Sequence, residues 1–243
     1  MNPFKTVCKF LLACSLAALI FSCNSSAEVK EEARQTADTP NAVTAAPTAA
    51  FTPFDVVEVI HTVKDYDKWR PIFDDDSVAR KASGLEFIAL GRNIDNPNDV
   101  LIVLNVSDVQ KAKEFVANPR LKEVMEKGGV ASKPDVQFLH VLRFNPDGKE
   151  KQWVTVTHKV KDFDAWLKVF DEEGPAARAE QGLLDVVLAR GIDDPNVVHL
   201  VFDIKATDLA KAKAAITSAE KKQLMMKAGV EGAPRISFYK SAE

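Results

Sequence analysis

From Val56 to the end of the chain, the spacing of apolar positions changes in a fixed order. Val56–His61 is rich in β-branched side chains and predicts a strand. Beyond Asp65 and Asp67, both candidate helix caps, Trp69, Ile72 and Phe73 recur at helical spacing and form an apolar stripe. Pro71 is acceptable only near a helix start, which favours Asp67 as the cap, and Gly84 ends the helix. Leu85–Gly91 reads as a second strand and Val100–Val106 as a third. The turn formers Asp95-Asn-Pro-Asn98 join them into a hairpin. Asp108 caps a helix through Ala112 and Phe115, a short helix continues to Lys127, and Val136–Phe144 is the last strand.

The same order then repeats. His61-Thr-Val-Lys-Asp-Tyr-Asp-Lys-Trp69 and His158-Lys-Val-Lys-Asp-Phe-Asp-Ala-Trp166 agree at six of nine positions. Gly91-Arg-Asn-Ile-Asp-Asn-Pro-Asn98 matches Ala189-Arg-Gly-Ile-Asp-Asp-Pro-Asn196, and Lys111 and Lys113 match Lys211 and Lys213. Gly129 and Val130 match Gly229 and Val230, Pro134 matches Pro234, and Phe138 matches Phe238. Ordered matches across a whole module indicate duplication. The expected organisation is a repeat over residues 53–147 and a second over 150–243.

Each repeat predicts β-α-β-β-α-β, the ferredoxin-like split unit of the α+β class. A sheet with helices on one face only leaves its other face bare, and the second repeat can cover it. The expectation is an intramolecular α+β barrel in which the two repeats pair with each other.

The segment His-x-Val-x-Asp-Tyr/Phe-Asp-x-Trp, the Asp-x-Pro-Asn hairpin and the closing Gly-Val, Pro and Phe resemble antibiotic biosynthesis monooxygenase-like modules. Those modules belong to the dimeric α+β barrel superfamily. The resemblance covers residues 54–144 and 152–240. It implies a fold shared by cofactor-free monooxygenases, haem-degrading enzymes and members of unassigned activity. It does not settle whether this chain is an enzyme. No cofactor is expected, with haem the one group the resemblance leaves open.

The amino terminus has another character. Lys5 and Lys9 precede the apolar run Phe10–Phe21, which is too short to span a bilayer and reads as a signal peptide over residues 1–23. Ile20-Phe21-Ser22-Cys23 resembles a bacterial lipobox, which implies acylation of Cys23 and a lipid-anchored protein of the cell envelope. Asn24, in place of an aspartate after that cysteine, favours the outer membrane. Residues 24–52 are rich in Ala, Thr, Ser, Glu and Pro and read as a flexible tether. Cys8, Cys14 and Cys23 are the only cysteines, so the body holds no disulfide framework and no cysteine nucleophile. A net charge of −3 over 243 residues argues against a nucleic-acid partner.

Candidate chemistry follows the repeat. His61 and His158 share the strand face of Val57 and Val59, or of Val154 and Val156. Each is a candidate catalytic base or ligand in a sheet-helix cleft. The alternative is a structural histidine that hydrogen-bonds the start of the first helix. His140 and His199 have no counterparts and look incidental. Trp69 and Trp166 are candidate pocket walls or core residues. Arg92 and Arg190 are candidates to bind an anion, or to pair with Asp95 and Asp193. Asp74-Asp75-Asp76 and Asp171-Glu172-Glu173 read as solvated helix faces, and no metal site is expected. Three functions stand: a small-molecule-binding module, a cofactor-independent monooxygenase or isomerase, and a non-catalytic structural or interaction module.

Overall fold

The structure is a computed structural model and describes residues 51–242. The signal segment, Cys23 and nearly all of the tether lie outside the described residues. The first half of the body runs β1 (Phe54–Thr62), α1 (Tyr66–Asp75), α2 (Ser77–Ala82), β2 (Leu85–Asn93), β3 (Asp99–Val106), α3 (Val109–Ala117), α4 (Pro119–Lys127) and β4 (Asp135–Phe144). The second half runs β5 (Gln152–Val160), α5 (Phe163–Glu180), β6 (Leu184–Gly191), β7 (Val197–Ile204), α6 (Leu209–Ile216), α7 (Ala219–Lys227) and β8 (Val230–Ser241), with a short 3₁₀ turn at Ala206–Asp208.

The first helix starts earlier than its proline suggests. Asp65, not Asp67, is the cap, and its carboxylate accepts from the amides of Asp67 and Lys68 at 3.1 and 3.2 Å. Pro71 therefore lies inside α1. The helix breaks at Asp76, so two helices stand where a single one is expected. In the second half the break is a kink inside α5 at Gly174, whose φ of 77° only glycine adopts readily.

Strand pairing is antiparallel throughout, and the eight strands close in the order β1-β3-β2-β8-β5-β7-β6-β4. Each half contributes its strands in the order fourth, first, third, second. Closure runs through strand edges. β2 pairs with β8 from Gly91↔Ser241 to Asn93↔Tyr239, and β4 pairs with β6 from Leu139↔Gly191 to Phe144↔Val187. Unpaired edge amides and carbonyls invite partners, and here each half's edges are satisfied by the other's. Two ion pairs on the outside cross between the halves in matching fashion, Lys113 with Asp193 and Lys213 with Asp95.

The apolar material divides by strand face. Two cores lie between the barrel wall and the helices, one around Val57, Trp69, Leu104 and Phe138, the other around Val156, Trp166, Phe202 and Phe238. A smaller cluster of Val56, Leu139, Val141 and Ala189 fills part of the barrel interior. The cleft between sheet and helices in each half is where the repeated histidines point.

Candidate functional site

In each half the first strand carries its histidine beneath the first helix. His61 and His158 are both 5% exposed. The His61 ring meets Trp69 edge-on with centroids 5.6 Å apart, and His158 meets Trp166 at the same distance. The helix caps set this up: Asp65 and Asp162 start α1 and α5 so that the tryptophan, four residues on, points inward. The expected bond from histidine to helix start is absent. Among the described residues, neither ring nitrogen of His61 or His158 has a hydrogen-bond partner, because the aspartate caps already occupy those amides. Burial lowers the His61 pKa to about 4. His158 is also lowered to about 4, first by burial and then by the nearby His199. Both imidazoles are neutral at pH 7.

The wall continues beyond the residues singled out from the sequence. Trp69 stacks on Phe73 at 5.0 Å, and the Arg80 guanidinium lies 3.8 Å from the Phe73 ring centre. Trp166 stacks on Phe170 at 5.1 Å, with the Arg178 guanidinium 3.7 Å from that ring. Histidine, tryptophan, phenylalanine and arginine thus line a cavity twice, about 80 Å³ in the first half and about 50 Å³ in the second. Asp76, buried, and Glu173, mostly buried, both expected on solvated faces, line the same cavities, because the helix break turns them inward. The repeat held the signal for these residues: Phe-Asp-acid-acid follows Trp at the same distance in both copies, and Ala-Arg follows soon after.

Arg92 and Arg190 line neither cavity. Arg92 donates from Nε to the Pro97 carbonyl at 2.7 Å and covers the Tyr66 ring, while Arg190 lies 5.0 Å from the Phe163 ring centre. Asp95 and Asp193, expected as their partners, pair with Lys213 and Lys113 of the opposite half instead. His140 pairs with Asp55 at 2.6 Å. His199 is not incidental in the structure. It lies inside the barrel, 3.2 Å from Glu58 Oε2 through Nε2 and 2.9 Å from Thr157 Oγ1 through Nδ1. Among the described residues no group of three or more histidine, cysteine or acidic side chains is placed to hold a metal ion.

No family model matches the chain, and no curated protein is significantly similar to it. Solved structures do share its fold. An anthrone oxidase-like protein is 15% identical with a TM-score of 0.55, over 78% of this chain and 92% of that one. A protein provisionally named a monooxygenase, from Fusobacterium nucleatum, is 13% identical with a TM-score of 0.51, over 78% and 93%. A haem-binding protein from Thermus thermophilus is 12% identical with a TM-score of 0.48, over 79% and 92%. At these identities the likeness to the anthrone oxidase-like and Fusobacterium nucleatum proteins establishes the fold alone.

Proposed function

We propose that the protein binds a small, largely apolar molecule in its sheet-helix cavities, against the Trp-Phe wall and hydrogen-bonded to the neutral imidazole. One observation carries this: two matching histidines are buried with both ring nitrogens unanswered. An unsatisfied buried polar group costs about 1–3 kcal/mol, and the expense recurs in both halves. A ligand that accepts from or donates to the imidazole removes it.

Cofactor-independent monooxygenase or isomerase chemistry ranks second. The aromatic wall suits an electron-rich ring, but an imidazole whose pKa is about 4 is a poor general base at neutral pH. A purely structural module ranks third, since it gives the open imidazole nitrogens no role. The cavities, about 80 and 50 Å³, suit a ligand much smaller than haem, which ranks below the small-molecule reading. The test is native mass spectrometry of protein purified from its own host. Wild type is expected to retain an added mass that His61→Phe/His158→Phe lacks. An identical bare mass in both, with no histidine NMR shift against a fragment panel, would overturn the binding reading.

The fusion has its own rationale. Two copies of one module, each bare on one sheet face and open at two edges, stand in one chain for the two subunits of a dimer. The chain is further read as lipid-anchored through Cys23 on the outer membrane, which rests on the lipobox-like residues and Asn24. Radioactive palmitate should label the wild type and leave Cys23→Ala unlabelled, and equal labelling would remove the anchor.

A further inference from the structure

The two cavities are walled by the same residue types but differ in charge. In the second half Arg178 is held by Asp185, with Nε 2.8 Å from Oδ1, and lies 3.6 Å from Glu173. Lys221 also pairs with Glu173. Two cations meet two carboxylates, and the cavity is neutral overall. In the first half Phe87 stands where Asp185 does. Phe87 lies opposite Leu104 and Asp185 opposite Phe202, each just before a bulge in its strand. Leu121 stands in the place of Lys221.

Arg80 is therefore left without an ion-paired carboxylate of its own, although Asp76 lines the same cavity. It is 7% exposed, and among the described residues its guanidinium makes one hydrogen bond, from Nη1 to the Phe73 carbonyl at 2.6 Å. Among the described residues no carboxylate lies within ion-pair distance of it, since Asp76 is taken by Arg120 and Asp74 by Arg70. A guanidinium carries five N–H donors in a fork that matches a carboxylate. Asp76 lines the same cavity and acts on Arg80 through space, but with Arg120 also drawing on that carboxylate, the two guanidinium groups leave one excess positive charge beside the unpartnered His61.

We propose that the first cavity is a site for a short-chain carboxylate, and that the second, neutralised by Asp185, is not. The proposal rests on the cavity-binding reading and narrows it. The acid head sits on Arg80 and the apolar tail lies against Trp69, Phe73 and Ile72. A volume of about 80 Å³ suits a tail of a few carbons, being roughly half that of a cavity known to admit benzene.

The test is an NMR titration of the full chain with sodium butyrate, and separately with butyramide, at constant ionic strength. Butyrate should give saturable shifts at His61 and Trp69 but not at His158 and Trp166. Arg80→Gln should weaken it at least about tenfold, as loss of a charge-assisted pair does. Phe87→Asp, which supplies the acid found in the other half, should do the same with Arg80 intact, and Asp185→Leu should open a second site. Equal binding of butyramide, or equal shifts in both cavities, overturns the proposal and leaves the cavity reading standing. No shift at any of these residues with either compound overturns both.

Discussion

Burial keeps His61 and His158 neutral down to about pH 4, where water would protonate them. Their pKa values fall from 6.5 to about 4, so between those values the unfolded chain binds more protons than the folded one. Stability from this source is therefore complete above about pH 6.5 and declines as pH falls towards 4, by on the order of 3 kcal/mol per imidazole. In His61→Phe/His158→Phe that decline should vanish. At pH 7 the double variant should be as stable as wild type or more so, by about 1 kcal/mol per site, because no hydrogen bond is lost. Urea denaturation at pH 7 and pH 5 measures both. A loss of several kcal/mol at pH 7 would return the histidines to a structural role.

Among elements, the first helix of each repeat positions the site, and its two ends are separately testable. Asp65→Ala and Asp162→Ala each remove a cap and should cost about 1 kcal/mol, with a weakened histidine-tryptophan contact visible by NMR. At the break, Gly174→Ala should cost about 1–2 kcal/mol through its left-handed φ alone. A Cβ there meets nothing within 4 Å, so steric conflict adds nothing. An unchanged denaturation midpoint in Gly174→Ala would mean that the kink relaxes freely. The break was not legible as such: Pro71 drew the cap towards Asp67, whereas burial of Trp69 beneath a helix begun at Asp65 outweighed the lost amide.

At the scale of the molecule, the halves meet through hydrogen-bonded edges and through the barrel interior. Residues 53–147 and 150–243, expressed separately, should not persist as folded monomers. Mixed, they should form a one-to-one complex by light scattering, since each leaves two edges and a sheet face unsatisfied. A stable monomeric half would contradict this. Inside the barrel, Glu58 from one half faces His199 from the other, both buried. Glu58→Leu should destabilise by about 3 kcal/mol, and adding His199→Leu should recover part of that, because the unpaired Nε2 is removed while Arg235, 3.5 Å from Glu58, still lacks that carboxylate. Thermal or urea unfolding of the single and double variants reads the coupling.

Order along the chain was legible because it depends on local physics: β-branched runs make strands and capped stripes make helices. His61, His158, Trp69 and Trp166 were legible for the same reason, being repeated. What joins them was not. Phe73 follows Trp69 by helical spacing, but Arg80 and Asp76 enter the cavity only because α1 breaks and turns a nominally solvated stretch inward. His199 and Glu58 matter only because closure of the barrel brings strands from opposite halves face to face. Sequence alone determined the order of strands and helices, though not the break in the first helix, and which residues recur, since these follow from short-range preference. Only the tertiary structure decided that Arg178 is neutralised and Arg80 is not, because a charge's partner is set by proximity across the sheet rather than along the chain.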